Sequence, residues 1–175
     1  MDLRDAYLLA RSLMDQHGLG DWDLKFDHAR QRLGCTEMGI RLGASPQRIR
    51  CISLSAELIR LNDERVVRET ILHECAHAIA GTQARHGAAW QRVASALGCS
   101  PTATYRREGL TEPVREYVGT CPKCGLEIQR YRRMAGACRV CDRAGHGEQV
   151  IVWRRVRIAP RQAPAVDPHQ LPLDL

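Results

Sequence analysis

Apolar residues recur at helical spacing at the start of the chain. The apolar side of a helix predicted over residues 2–17 consists of Leu3, Ala6, Tyr7, Ala10, Leu13, Met14 and His17. Asp2 can cap the start of this helix, and Gly18 stands where it should end. The pattern therefore predicts an N-terminal amphipathic helix that packs one side against a core.

The spacing of apolar residues changes to two between residues 22 and 54. The first residues that alternate with charged ones are Trp22, Leu24 and Phe26. Two further short stretches, 35–42 and 49–54, are separated by a run of glycine, alanine, serine and proline at 43–46. We expect two or three antiparallel strands in this region.

Two more helices are predicted in the middle of the chain. The first spans residues 63–80, with Asp63 as its cap and Gly81 as its stop. The second spans residues 87–97 and ends at Gly98. Its apolar face consists of Trp90, Val93, Ala94 and Leu97. The break between the two helices lets the chain reverse, so the start of the second can face the first.

The pattern becomes irregular after these helices. Residues 100–116 contain prolines and a glycine without an apolar period, and they are predicted to form a linker. Residues 117–158 contain four cysteines and two strand-like runs, 126–133 and 149–157. The tail at 159–175 has four prolines and is expected to be disordered.

Composition indicates a globular protein with reduced thiols. A chain of 175 residues is long enough for one domain and a small appendage. It has neither an 18-residue apolar run nor a signal-like N-terminus, so we expect a cytoplasmic protein without a membrane span. Its eight cysteines are then better explained as metal ligands and buried thiols than as disulfides.

Positive charge is concentrated in the second half of the chain. The formal net charge is +6; residues 1–100 carry 13 basic and 12 acidic side chains, whereas residues 101–161 carry 13 and 6. Two basic clusters contain or follow an aromatic residue: Arg130, Tyr131, Arg132 and Arg133, and then Arg154, Arg155 and Arg157 after Trp153. Arginine binds phosphate and an aromatic ring stacks on an unpaired base, so these residues are predicted to contact nucleic acid. The alternative is a solvated face that keeps the segment soluble.

Three histidines and a glutamate have the spacing of a catalytic zinc site. His73 and His77 are four residues apart, so they lie one above the other on one helix face and can bind the same ion. His86 follows the break as a third ligand, which leaves one zinc position for water. Glu74 projects beside the metal and can take a proton from that water. The alternative is a helix with two surface histidines, and Cys75 is expected to pack into the core.

Four cysteines have the spacing of a structural zinc site. Their pattern, Cys-x2-Cys-x13-Cys-x2-Cys, comprises Cys121, Cys124, Cys138 and Cys141. Each pair can form a knuckle in which backbone amides point at sulfur, and four thiolates leave no zinc position for water. A module of about forty residues lacks the core to fold alone, so the metal would supply folding energy. A redox pair or free thiols are the alternatives.

The sequence around the histidines resembles the SprT-like family of zincin metallopeptidases. The resemblance rests on the run His73-Glu74-Cys75-Ala76-His77-Ala78, followed by Gly81, His86, Gly87 and Trp90. The segments 22–26, 32–34 and 52–55 are similar to the strand region of that family. The family includes the Spartan proteases, which degrade proteins crosslinked to DNA, and many members carry a zinc ribbon after the protease domain. The resemblance covers about residues 3–98, and it implies that all three histidines are zinc ligands.

These features together predict an α+β protein with a zincin-like metallopeptidase domain at residues 1–99. This domain would consist of a helix, a short antiparallel sheet and two metal-bearing helices. After the linker at 100–116, residues 117–158 would form a β zinc ribbon with four cysteine ligands. We expect one catalytic and one structural zinc ion, and a chain that acts as a monomer.

The predicted activity is that of a zinc endopeptidase in DNA–protein crosslink repair. Its substrates would be proteins associated with or crosslinked to nucleic acid, and its partner would be single-stranded or damaged DNA. Two alternatives remain at this point. One is a non-proteolytic zinc-ribbon protein that binds nucleic acid, and the other is a general peptidase without DNA dependence.

Overall fold

The computed structural model describes residues 1–43, 45–102 and 110–156, which fall into two units. The described residues up to Glu112 belong to the first unit, and the second unit begins at Pro113. Both contain a small sheet and at least one helix, so the α+β class expected from the sequence is confirmed. No helix in the described part of the chain is long and apolar enough to cross a membrane.

Three of the four α-helices that the structure describes in the first unit coincide with predicted ones. The four are α1 (Leu3–Gln16), α2 (Ala56–Leu61), α3 (Glu64–Ala80) and α4 (Ala88–Ala96). The Asp63 carboxylate caps α3 by accepting a hydrogen bond from the Val66 N–H, and Gly81, with a φ of 82°, ends it. Helix α2 was not predicted; it begins where the Ser55 hydroxyl accepts a hydrogen bond from the Leu58 N–H.

The sheet of the first unit is mixed, and the prediction of purely antiparallel strands was wrong in this respect. Its strands are β1 (Asp23–Asp27), β2 (Gly34–Arg41) and β3 (Gln47–Ser55), in the order β1-β3-β2. β2 and β3 form the expected antiparallel hairpin, whereas β1 pairs in parallel with β3. The reason is that the chain crosses from β1 to the opposite edge before it returns through the centre as β3.

The core of the first unit lies where α1 and α4 pack on α3 and where α3 packs on the sheet. The central strand β3 is buried on both faces at its end, residues 51–55. The residues buried in this core include Ala10, Met14, Ile52, Leu54, Ile71, Cys75 and Trp90. Because α3 contacts β2, α1 and α4, its position is fixed from several sides.

The second unit contains a three-stranded antiparallel sheet and a short helix. Its elements are β4 (Tyr117–Thr120), β5 (Glu127–Arg130), α5 (Arg139–Arg143) and β6 (Val152–Arg155), with strand order β5-β4-β6. Strands β5 and β6 fall within the two predicted runs, whereas β4 and α5 were not predicted. Its buried cluster consists of three cysteines and an isoleucine, Cys121, Cys138, Cys141 and Ile151, with Ile128 and Trp153 packed against them. Both the predicted disordered tail at 159–175 and Arg157 lie outside the described residues.

Candidate metal centres

Helix α3 presents His73 and His77 to the same side. The two histidines are one turn apart and half-buried, while Cys75 between them is fully buried in the core, as predicted. One face of α3 therefore packs in the core, and the opposite face presents the two histidines.

A tight turn places His86 beside these two residues. The Gly87 N–H donates to the Ala84 carbonyl over 2.9 Å, which closes the turn that contains Arg85 and His86. The Nε2 atom of His86 lies 3.1 Å from that of His77 and 3.2 Å from that of His73. Nitrogens about 2.0–2.1 Å from a tetrahedral zinc ion are about 3.3–3.4 Å apart, so this spacing fits three ligands on one ion.

Trp90 of α4 packs against all three imidazoles. Its ring centroid lies 4.7 Å from those of His73 and His86 and 5.3 Å from that of His77. The indole is completely buried, and its Nε1 has no hydrogen-bond partner among the described residues. Packing rather than hydrogen bonding therefore holds the histidine rings from this side.

Burial favours the neutral form of the His73 and His77 imidazoles. Burial, together with the neighbouring imidazoles of His77 and His86, lowers the pKa of His73 to about 4. Burial and His86 also lower the pKa of His77. A neutral imidazole has a free lone pair at one ring nitrogen, which is the form that binds a metal ion.

Glu74 is buried, and its carboxylate contacts strand β2. The Thr36 hydroxyl lies 2.7 Å from its Oε2. Burial raises the pKa of Glu74 to about 7, although the hydrogen bond from Thr36 and the nearby charge of Arg32 act in the opposite direction. The sequence indicated Glu74 but neither of these neighbours, because the contact with Thr36 joins residues 38 positions apart.

A cavity of about 280 Å³ opens beside Glu74 and His73. Its walls include Arg30 and Arg32 from the segment between β1 and β2, and Glu69 from α3. Arg32 is held there by an ion pair of 2.6 Å with Asp27. The cavity adjoins the histidine cluster and has room for a substrate side chain.

The four cysteines predicted to bind the second metal converge in the second unit. Their sulfur atoms all lie within 4.8 Å of one another. The Sγ atoms of Cys121 and Cys141 are 3.7 Å apart, and those of Cys124 and Cys138 are 3.6 Å apart. Ligands about 2.3 Å from a tetrahedral zinc ion are about 3.8 Å apart, whereas disulfide sulfurs are about 2.05 Å apart. The spacing therefore fits a metal site and not disulfides.

The first cysteine pair forms the predicted knuckle. The backbone N–H groups of Cys124 and Lys123 point at the Cys121 sulfur and lower the pKa of that thiol. A lowered thiol pKa favours the thiolate, which is the metal-binding form. The second pair differs in shape, because Cys138 precedes helix α5 and Cys141 lies within it.

A family model described as SprT-like matches residues 18–109, just over half of the chain. The matched range spans the sheet of the first unit together with α3 and α4, and so contains the three histidines and Glu74. The chain belongs to the SprT-like family. No curated protein matches the sequence. Membership of the SprT-like family is associated with metallopeptidase activity and indicates a zinc metallopeptidase-type domain.

The basic residues of this SprT-like chain are divided between the two faces of the second sheet. Arg130 and Arg155 are the cross-strand partners of Tyr117, so these three side chains share one face. Arg154 is paired with Val118 in the next row and therefore points to the other face.

Some of these arginines already have acidic partners. Arg155 forms an ion pair of 2.7 Å with Glu116, and Arg154 one of 3.5 Å with Glu127. Both pairs are exposed, so they stabilise the fold little and their arginines can exchange partners. Beyond β5, Arg132 and Arg133 are exposed.

Tyr131 is half-buried, and the guanidinium carbon of Arg115 lies 5.6 Å from the centroid of its ring. Its ring is therefore less available for stacking on a base than the sequence suggested. Tyr117, which the sequence analysis did not single out, lies at the centre of the face that carries Arg130 and Arg155.

Proposed function

We propose that His73, His77 and His86 bind a catalytic zinc ion and that Glu74 is the general base of a peptidase. The observation that supports this most strongly is that Nε2 of His86 lies within about a tetrahedral edge of Nε2 of both His73 and His77. A helix with surface histidines would not need a third histidine from a separate turn at this distance. The buried carboxylate of Glu74 beside them adds a group that can move protons.

The bound zinc would polarise the substrate carbonyl and activate water. Glu74 would accept a proton from the attacking water and return it to the leaving amine, so that one carboxylate serves both halves of the reaction. The cavity beside Glu74 and His73 would receive a substrate side chain and shield the site from bulk water.

The test of this function is hydrolysis of an unstructured protein by the parent and by Glu74→Gln. The amide of glutamine has nearly the same shape but cannot accept the proton, so we expect retention of metal and fold and a loss of about 100-fold or more in rate. Zinc content and thermal unfolding are measured on the same samples. Equal activity of the two proteins would contradict the proposed role of Glu74.

We further propose that the substrates are proteins associated with nucleic acid, which the second unit binds. The face formed by Tyr117, Arg130 and Arg155 combines an aromatic ring with two cations, and Arg132 and Arg133 lie just beyond it. Arginine contacts release counterions from the phosphate chain, so affinity should fall steeply as salt is raised. The excess of basic residues between 101 and 161 supports the same conclusion.

Nucleic-acid binding is tested with two variants of equal charge change. Arg132→Ala/Arg133→Ala removes two cations beside the proposed face, and Arg139→Ala/Arg143→Ala removes two from α5. Titrations with single-stranded DNA at several salt concentrations should show weaker binding and a flatter salt slope for the first variant only. Identical behaviour of parent and first variant would favour a general peptidase, whose basic face is only solvated surface.

A further inference from the structure

Strand β2 contacts Glu74 at two points through one side chain. The Thr36 hydroxyl lies 2.7 Å from Oε2 of Glu74 and 2.9 Å from its backbone carbonyl oxygen. One hydroxyl thus spans the carboxylate and the helix backbone that carries it. Such a contact restricts the rotation of the Glu74 side chain relative to α3.

Gly34 lies two residues earlier and therefore on the same face of β2. A Cβ atom at this position would be 2.6 Å from Cγ and 2.8 Å from Oε1 of Glu74, closer than non-bonded atoms approach. Gly34 does not have a positive φ, so its backbone conformation does not require glycine. The missing side chain instead leaves the space in which the Glu74 carboxylate lies.

The two oxygens of Glu74 have different surroundings. Oε2 accepts a hydrogen bond from the Thr36 hydroxyl, and the backbone N–H of Thr36 also interacts with the carboxylate. Oε1 lies against Gly34 and Glu74 lines the cavity that His73 also lines. Strand β2 therefore holds the carboxylate from one side, while Glu74 also borders the cavity.

We propose that Thr36 is the positioning residue of the general base and that Gly34 provides the space this arrangement needs. The inference rests on the proposed function of Glu74. Thr36 does not touch the reacting atoms; it acts by holding the carboxylate in one orientation beside the histidine cluster. Small errors in the placement of a catalytic group are costly, which is why such a contact affects rate more than binding.

The experiment compares Thr36→Val, Thr36→Ser and the parent. Valine keeps the shape of threonine without the hydroxyl, and we expect kcat on a protein substrate to fall about 10- to 100-fold. KM and zinc content should be unchanged, because Thr36 belongs neither to the metal ligands nor to the residues that line the cavity. Serine keeps the hydroxyl, and Thr36→Ser should stay within about threefold of the parent.

A second pair of variants tests the space at Gly34. Gly34→Ala should displace the Glu74 carboxylate and lower kcat, whereas Gly43→Ala on the same hairpin adds a Cβ with nothing within 4 Å and should leave kcat unchanged. A readout that does not depend on activity is the crystal structure of metal-free Thr36→Val. Glu74 should occupy one position in the parent and more than one in that variant.

The outcomes distinguish a positioning role of Thr36 from a merely structural one. Parental kcat in Thr36→Val, or a single unchanged Glu74 position in its crystal structure, would overturn the inference. Equal losses of kcat and zinc in the valine and serine variants would show that Thr36 is merely structural and would overturn it as well. If parent and Glu74→Gln hydrolyse equally, the proposed function fails, and the crystal structures still test the positioning of Glu74 by itself.

Discussion

Arg85 has a backbone conformation that is normally reserved for glycine. Its φ of 46° and ψ of −126° belong to the first central position of a type II′ turn, and the hydrogen bond from Gly87 to Ala84 closes that turn. Among the described residues, Arg85 alone combines a side chain with a positive φ. The next residue is His86, so the turn that strains Arg85 also places the third histidine.

The size of this strain determines whether glycine or alanine at position 85 gives the more stable protein. A residue held in a sparsely populated region costs about 1–3 kcal/mol. Replacing alanine by glycine costs about 0.4–1 kcal/mol at an unstrained site, because glycine has more freedom in the unfolded chain. At position 85 the relief of strain should outweigh this cost, so Arg85→Gly should be more stable than Arg85→Ala by about 1–2 kcal/mol.

The assay is urea unfolding of both variants and the parent at one fixed zinc concentration, because bound metal stabilises the native state by mass action. Both substitutions remove the same exposed side chain. The difference between their free energies of unfolding therefore reports the backbone strain at position 85. A difference of 1 kcal/mol corresponds to about 4 °C in Tm for a unit of this size. If Arg85→Ala is as stable as Arg85→Gly or more so, the turn is not strained and the reasoning fails.

Three further predictions concern the metals and the packing around them. The purified protein should contain two zinc ions by metal analysis. His86→Ala should lose one of them, and Cys138→Ser should lose the other. Loss of both ions in either variant would contradict two independent sites. Trp90→Phe should keep its zinc and lose less stability than Trp90→Ala, because the phenyl ring retains part of the packing and the indole N–H has no partner to lose. Trp90→Ala should cost about 3–5 kcal/mol, as measured by urea unfolding. Gly119→Ala should destabilise the second unit by about 1–3 kcal/mol, because its Cβ would lie 2.6 Å from a side-chain carbon of Ile151; an unchanged unfolding curve would argue against this packing.

The sequence predicted the elements whose periodicity is local. Helix α3 was found within one residue at its start because Asp63 caps it and Gly81 ends it, and both signals act within a few residues of the chain. Strand direction is a different property. The parallel pairing of β1 with β3 depends on where the chain crosses, and no alternation of apolar residues encodes that.

The same distinction applies to the candidate site. Three histidines and Glu74 could be named because helical spacing brings His73 and His77 together and a short break returns His86. Thr36 could not, because a threonine within a strand has no spacing relation to a helix 38 residues later. Its only sequence signal is indirect: Gly34, a glycine in a strand, can mark a close approach of another group.

The arginine clusters show the converse case. Their residues are neighbours in sequence and suggest one continuous surface, but the fold places them on different faces. Arg154 and Arg155 are adjacent in sequence, but they belong to a strand and therefore point to opposite faces. Arg130 and Arg155 lie 25 positions apart and share a face because both are paired with Tyr117.

Nucleic-acid affinity of the second unit should therefore follow the register of the strands rather than the order of residues along the chain. Arg155→Ala should weaken the binding of single-stranded DNA more than Arg154→Ala, although both remove one positive charge and each arginine has one acidic partner. Binding titrations at low salt compare the two variants. Equal losses would mean that only net charge matters, and that the face around Tyr117 is not a specific platform.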